Sequence, residues 1–500
     1  MKKSEDRRLQ GTFQFSPENS CFGELILKRG RTNLGLSSKS EFHRHESLDY
    51  IRGQTLDGRC ITCIDCAWSS RGTNMKDGAE AYHYAHIFPH YVTVGDEHLD
   101  PLALVIEQIS FTTDDLPELF YDFGSFGTIS GPDSVIDTVL AKRELARSTE
   151  IGAWPQVAYY TGKVVISEVS TGLGKVAVCH RPAFKSGSPT GVSLKSTIYV
   201  SIEPDEPIAF EGAMDRITCL ARFLSGAAGR VQGIKGVQLR TLGKSEGTYR
   251  EPLRVHWSFA PKSGKNIDRK PHPGDVPLKP VNRPEEFSRV LANWIKLDPG
   301  RAVARNRYIS CLQKGNSYGV DRLVAAANMF DVLPNEAVPL ELELPKDLAA
   351  AQVSILEMLK MVKQSHDRDS AIAAIKRLGR PSLPKKVAHR AKIVSGKMDG
   401  AFPDLAYVLK QAVACRNHFV HGSSDSFDFN AIKNFVPFLT DALEFTFAAA
   451  DLIEAGWDSS IWVGEPYGAG HSFARFRWGY REHVEQLRKA RATPKAKSMG

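Results

Sequence analysis

The sequence predicts an α+β chain of several domains, with a β-rich N-terminal domain followed by an all-α helical bundle. Three observations carry this. Short β-branched runs dominate up to about residue 260, a stretch rich in Pro, Lys and Gly interrupts the chain at 261–284, and helical periodicity takes over beyond it. The expected division is therefore a β-rich domain over 1–260, a linker over 261–284, a helical domain over 285–460 and an extension with a basic tail over 461–500. The chain's 500 residues, 42% hydrophobic and 24% charged, leave ample material for cores without staples.

In the first part, ELILK (24–28), CITCIDC (60–66), HYVTV (90–94), KVVISEV (163–169), STIYVSI (196–202) and RVHWSF (254–259) read as strands separated by Gly, Asp, Ser and Pro clusters. One helix-like insert, 209–226, sets Phe210, Met214, Ile217, Leu220, Phe223 and Leu224 near a 3.6-residue period and is expected to stop at Gly226. Residues 261–284 hold almost no large apolar side chains, so they are expected to bury no surface of their own. Beyond them, seven periodic segments from EEFSRVLANWIKL to FNAIKNFVPFLTDALEFTFAAADLIEAGW are joined by short turns, the pattern of neighbouring antiparallel helices.

A net charge of +8 permits a polyanionic partner without requiring one. The end of the chain, 481–500, carries six Lys/Arg against two Glu and reads as a solvated helix with a disordered end. Neither a signal peptide nor an apolar run long enough for a membrane span is expected. Eight cysteines in such a length are too few for a disulfide scaffold, which points to the reducing cytoplasm.

Two clusters suggest metal. Cys60, Cys63 and Cys66 form C-x2-C-x2-C, but the step that would carry a fourth thiolate lands on Ser70. Strand alternation would also send Cys60 and Cys66 to one face and Cys63 to the other. His83, His86 and His90 lie in an aromatic run that suits a pleated sheet. The structural reading is preferred for both, with no metal and no cofactor expected. Phosphate-binding glycine loops and H-E-x-x-H are absent, which removes support for nucleotide folds and zinc proteases.

The stretch VACRNHFVHGSS (413–424) is of another kind. Its helix, expected from about Phe402, buries Leu405, Leu409 and Ala412, with Val408, Cys415 and Phe419 beside them, leaving Arg416, Asn417 and His421 surplus to the core. Asn417 and His421 are four residues apart and share a face, with Arg416 at its edge. Gly422 is placed to end the helix in a left-handed conformation, and Asp428 to cap the next one. Imidazole can move protons near neutral pH, a guanidinium can grip two phosphate oxygens, and an amide can hold either in register. Such a trio suits metal-independent RNA cleavage, in which the 2′-hydroxyl attacks the adjacent phosphorus. Two proton transfers must be filled by one histidine in the trio, or two if His418 is counted; a symmetric dimer that brings two such helix ends together would fill both. His418 is either a second participant or a solvated helix residue.

These residues resemble the HEPN superfamily of ribonucleases, whose signature is Arg, a polar residue, three variable positions and His. YGVDRLVAAANMFDVLP (318–334) and RPSLPKKVAHRAKIVS (380–395) are similar to early and middle helices of the Apea-type HEPN domain. FGELILKRGRTNLGLSS (22–38), IRGQTLDGRCITCIDC (51–66), HYVTVGDEHLD (90–100) and LALVIEQISFTTDDLPELF follow the strand order of the β-rich domain found with it in ApeA proteins. The resemblance implies a bacterial anti-phage protein, cytoplasmic and homo-oligomeric through the HEPN domain, that cleaves host RNA, transfer RNA among the candidates, when infection is sensed. It implies Arg416 as phosphate-binding cation, Asn417 as orienting amide and His421 as proton-transfer residue, with a further polar group from an early helix, Asp321 or Arg307. A non-catalytic HEPN module that dimerises or binds a nucleotide, or a β-domain adaptor with a structural helical part, stays open at this point.

Overall fold

The computed structural model describes residues 7–16, 19–42, 48–75, 81–142, 150–189, 191–242, 251–263, 270–339, 344–398, 400–422 and 428–492. Two compact units form: Met1–Ser263 with Leu278–Ile295, and Gly264–Pro277 with Lys296–Gly500.

In the first unit, β1 (Arg7–Ser16), β2 (Asn19–Leu27), β3 (Asn33–Ser38), β4 (Tyr50–Thr55), β5 (Cys60–Asn74) and β6 (Tyr82–Gly95) form an antiparallel ring in the order β6–β3–β2–β1–β4–β5, closed where β5 pairs back onto β6. Alternate residues point inward, and Phe13, Leu25, Leu34, Ile51, Ile61, Ile87 and Val92 fill the interior. Phe13 lies opposite Gly53, where a Cβ would sit 2.3 Å from its ring, so only glycine lets that ring lie flat on the neighbouring strand.

Beyond the barrel come β7 (Ile106–Thr112), α1 (Leu116–Leu119), β8 (Phe126–Ser130), α2 (Asp133–Ala141), β9 (Gln156–Tyr160), β10 (Val165–Thr171), β11 (Gly174–Ser188), β12 (Gly191–Glu203), α3 (Phe210–Ala228), β13 (Lys235–Thr241) and β14 (Leu253–Trp257). The sheet leaves the barrel through β14 on β6 and continues as β13, β7, β12, β11 and β10. Leu220, Phe223 and Leu224 of α3 meet Val176, Val178 and Val200 of this sheet. The helix runs through the expected stop at Gly226 and ends at Gly229, whose φ of 65° is the left-handed cap. Three helices, rather than one, are present among the described residues of this β-rich part, because α1 and α2 are too short to show a periodicity.

The expected linker is largely not one. Val276 and Leu278 are 1% exposed, and the Asp275 carboxylate accepts from the backbone N–H groups of Gly468 and Gly470 at 2.5 and 2.9 Å. Two apolar side chains flanked by prolines suffice to anchor a segment that already lacks conformational freedom. Residues 264–269 of that stretch lie outside the described residues. The chain passes from one unit to the other at Ser263/Gly264 and Pro277/Leu278, both within 261–284, and once more within α4 (Pro284–Gln313), between Ile295 and Lys296. Pro299 lies one turn on and removes the N–H that Ile295 would otherwise bond, so the helix is weakest there.

The second unit holds the rest of α4, then α5 (Val320–Asp331), α6 (Lys346–Met361), α7 (His366–Lys376), α8 (Leu383–Lys397), α9 (Leu405–His421), α10 (Val436–Glu454), α11 (Ser459–Gly464) and α12 (Ser472–Ala492). α10 is apolar nearly all round and touches α5, α8, α9 and α12, the position of a central helix. Its first turn is not capped by Asp428, whose carboxylate instead accepts from the N–H of Ala431 in the preceding turn. The helix expected over 481–500 begins earlier, as α12: it buries Phe473, Phe476 and Tyr480, and over 481–492 it is largely exposed apart from Val484 and Leu487. Phe476 and Tyr480 pack on Phe402 just before α9, and the Tyr480 hydroxyl donates to the Pro403 carbonyl at 2.7 Å. Residues 493–500 lie outside the described residues.

On α10, burial first and then the charge of Glu444 push the Asp441 carboxyl up to about 7, against a hydrogen bond from Tyr318 at 2.8 Å and the more distant Arg322 and Arg475. A carboxyl raised in the folded state contributes stability that is complete below its unfolded value and is lost as pH rises through about 7. Asp441→Asn is therefore expected to gain on the wild type between pH 5 and pH 8. Its melting temperature, relative to the wild type, should rise by at least about 2–4 °C, the shift expected from ~1 kcal/mol in a unit of this size. A difference independent of pH would mean that Asp441 is ionised throughout.

Candidate active site

α9 ends at His421, and Gly422 follows with φ 84° and ψ 172°, an extended left-handed conformation that is essentially confined to glycine. Leu405, Val408, Leu409, Ala412 and Cys415 are buried as expected, so the polar residues of the last two turns emerge on the other side. Asn417 is half-buried and His421 is exposed, while the Arg416 side chain is only 13% exposed.

The guanidinium of Arg416 gathers the cluster. Nη1 donates to Asn417 Oδ1 at 3.1 Å and approaches His421 Nε2 at 3.3 Å. A guanidinium only donates, so Nε2 accepts in this arrangement and the ring proton sits on Nδ1. Nη2 donates to Asn328 Oδ1 on α5 at 2.9 Å and lies 3.9 Å from the Asp331 carboxylate one turn further on. Asp331 also holds Lys386 of α8, whose ammonium donates to the Asp331 backbone carbonyl at 2.8 Å. Groups of α5 and α9 thus meet at one arginine, with α8 holding Asp331 behind it, so its direction is set before any ligand arrives.

Arg416, Asn417 and His421 come together as the spacing suggests. His418 is placed elsewhere: its ring stacks on Phe429 at 5.3 Å with 12° between planes, and Phe419 meets the same ring edge-on. Asp321 is exposed in the first turn of α5, two turns before Asn328, and Arg307 is exposed on α4; neither is brought to Arg416 among the described residues. Asn328, Asp331 and Lys386 were not picked out from sequence. The only trace of Asn328 and Asp331 there is a pair of polar residues three apart, NMFD, after the apolar run LVAAA.

The metal candidates resolve into strand structure. Cys63 lies fully buried in the barrel, and Asp65, with φ 53°, interrupts the alternation so that Cys66 packs against that same core instead of facing away with Cys60. Burial raises all three thiols, that of Cys66 up to about 12, which disfavours the thiolate that a metal needs. His83 bonds Thr73, His86 bonds Asn33, and His90 bonds Asp65, each through Nδ1. Among the described residues, no group of three or more His, Cys, Asp or Glu side chains is placed to hold a metal ion.

A helical bundle with Arg-Asn-x-x-x-His at the end of its penultimate long core helix is the arrangement of a HEPN domain. The model of the family described as Apea-like HEPN matches residues 324–461, and that described as ApeA N-terminal domain 1 matches 5–294. The chain belongs to the ApeA-type HEPN family. Comparison with curated proteins and with solved structures gives no match. The HEPN match includes Asn328, Asp331, Lys386, Arg416, Asn417 and His421. Among the described residues, no helix is long and apolar enough to cross a membrane.

If Asn328 and Arg416 hold each other, the two are energetically coupled. A double-mutant cycle of Asn328→Ala and Arg416→Ala in urea unfolding is expected to give a coupling of about 0.5–3 kcal/mol, the range for residues in one hydrogen-bond network. Additive effects would show that the contact does not order the arginine.

Proposed function

We propose that this chain is a metal-independent endoribonuclease of bacterial anti-phage defence, with Arg416, Asn417 and His421 as its catalytic group. The observation that supports this best is the Arg416 guanidinium bonded to both Asn417 and His421 at an exposed helix end. An RNA phosphate has the geometry to engage Nη1 and Nη2, drawing the guanidinium from its present acceptors. That exchange frees the Nε2 lone pair of His421 to accept the 2′-hydroxyl proton. The 2′-oxygen then bonds to phosphorus, the bond to the 5′-oxygen breaks, and that oxygen takes up a proton. The products are a 2′,3′-cyclic phosphate and a 5′-hydroxyl. Arg416 neutralises charge on the phosphoryl oxygens as it builds up.

One imidazole per copy fills one of the two proton-transfer roles. A homo-oligomer pairing two α9 ends fills both, with His418 held in its aromatic stack as a structural neighbour. The substrate class is host RNA, transfer RNA in particular, in the cytoplasm. The β-rich unit senses infection or restrains the nuclease, so that cleavage aborts the infection. Occupation of Arg416 by Asn328 and Asp331 is consistent with a site quiet at rest.

His421→Ala is expected to cut the cleavage rate by ~10² to 10⁴ while RNA still binds. In a host challenged with phage, small-RNA fragments ending in 2′,3′-cyclic phosphate should accompany the wild type and vanish with the variant. Protection that persists in the variant, with intact RNA, would move the function to the β-rich unit.

A further inference from the structure

On α8, the helix whose Lys386 holds Asp331 beside the site, Lys385, His389 and Lys392 recur at i, i+4 and i+7. At 100° per residue they fall within roughly 60° of arc, and Lys385 and Lys392 stand about 10 Å apart along the axis. Both lysines are exposed and His389 is half-buried. With the methyl of Ala388 on the same helix, the three line one side of a groove of about 350 Å³, whose other walls include Pro339 and Pro381. Lys386 lies 100° round the helix from Lys385, so the groove and the Lys386–Asp331 contact occupy neighbouring faces of α8.

An apolar trough with a cation near each end and an imidazole between them matches an unpaired nucleotide. Bases present apolar faces that stack on rings and aliphatic walls, while lysines hold backbone phosphates. A groove of this size is at the lower end of those that enclose small ligands. A paired helix keeps its bases inside and would leave the trough empty.

We infer that this groove holds a single-stranded nucleotide flanking the cleaved linkage, with its base against Pro339, Pro381 and Ala388 and its phosphates on Lys385 and Lys392. The assignment rests on the RNA-cleaving reading of Arg416 and His421. It adds that the substrate is engaged as an unpaired segment running from the α9 end onto α8.

The test uses the full chain carrying His421→Ala, so that RNA is bound but not cut, and a fluorescein-labelled single-stranded oligoribonucleotide followed by anisotropy over a salt series. Adding Lys385→Glu and Lys392→Glu is expected to weaken binding about tenfold or more. Neutral Lys385→Gln and Lys392→Gln should lower the slope of log affinity against log salt by ~1.4, two phosphate contacts at ~0.7 each for a single strand. Lys385→Arg with Lys392→Arg should restore both, and the same charge reversal at Lys346 and Lys363 should leave them unchanged. If the oligoribonucleotide binds the His421→Ala chain and none of the α8 variants alters affinity or slope, the groove is overturned while the nuclease reading stands. If the His421→Ala chain binds no RNA at any salt, both fall together.

Discussion

The helical unit depends on a set of buried arginines that pair with carboxylates of its central helix. Arg301 and Arg305 of α4 both reach Asp451 on α10, at 2.8 and 2.9 Å, and Arg301 also meets Glu454 at 2.5 Å. Arg390 of α8, fully buried, reaches the same Glu454 carboxylate at 2.5 Å, and Asp298 satisfies Arg305 from its own helix. Removing one partner strands a charge in the interior, which typically costs 3–5 kcal/mol, so the network penalises any helix arrangement that breaks it. The neighbouring charges keep Asp451 below the usual carboxylate range although burial alone would raise it.

This framework bears on the site through two routes. Arg322 pairs with Glu444 through two hydrogen bonds of 2.7 and 2.8 Å and ties the start of α5 to α10. Asn328 and Asp331 project two turns further along the same helix, so their reach toward Arg416 is set by a buried pair rather than by a loop. Arg390 fixes α8 in the same way, and with it the placement of Lys386 against Asp331. α9 is held at its start by Phe402 in an aromatic group with Phe445, Phe476 and Tyr480, which leaves its last turn free to present Arg416 and His421. Rigid helices converging on one side chain give a catalytic group its precision.

What could be read in the residues follows the range of the forces involved. The β-rich and helical parts were legible because alternation and 3.6-residue periodicity are local, and Arg416, Asn417 and His421 because they sit within two turns of one helix. Asn328 lies 88 positions from Arg416, and no spacing rule reaches that far. Arg301, Arg305, Arg322 and Arg390 look like surface residues in sequence, and only their partners on α10 reveal them as core. The segment 270–284 misled because its composition is that of a linker while two side chains, Val276 and Leu278, anchor it. The early-helix candidates, Asp321 and Arg307, did not include Asn328, because no signal in the sequence says which turn of α5 faces α9.

The most direct test of the central claim is whether Arg416 and His421 act as one catalytic unit. Single-turnover RNA cleavage would be measured for Arg416→Ala, His421→Ala and the double variant. A unit predicts that the double variant is no slower than the slower single, because either loss alone disables the phosphate grip and proton transfer together. Effects that multiply, or a rate untouched by either change, would contradict it and place the chemistry elsewhere.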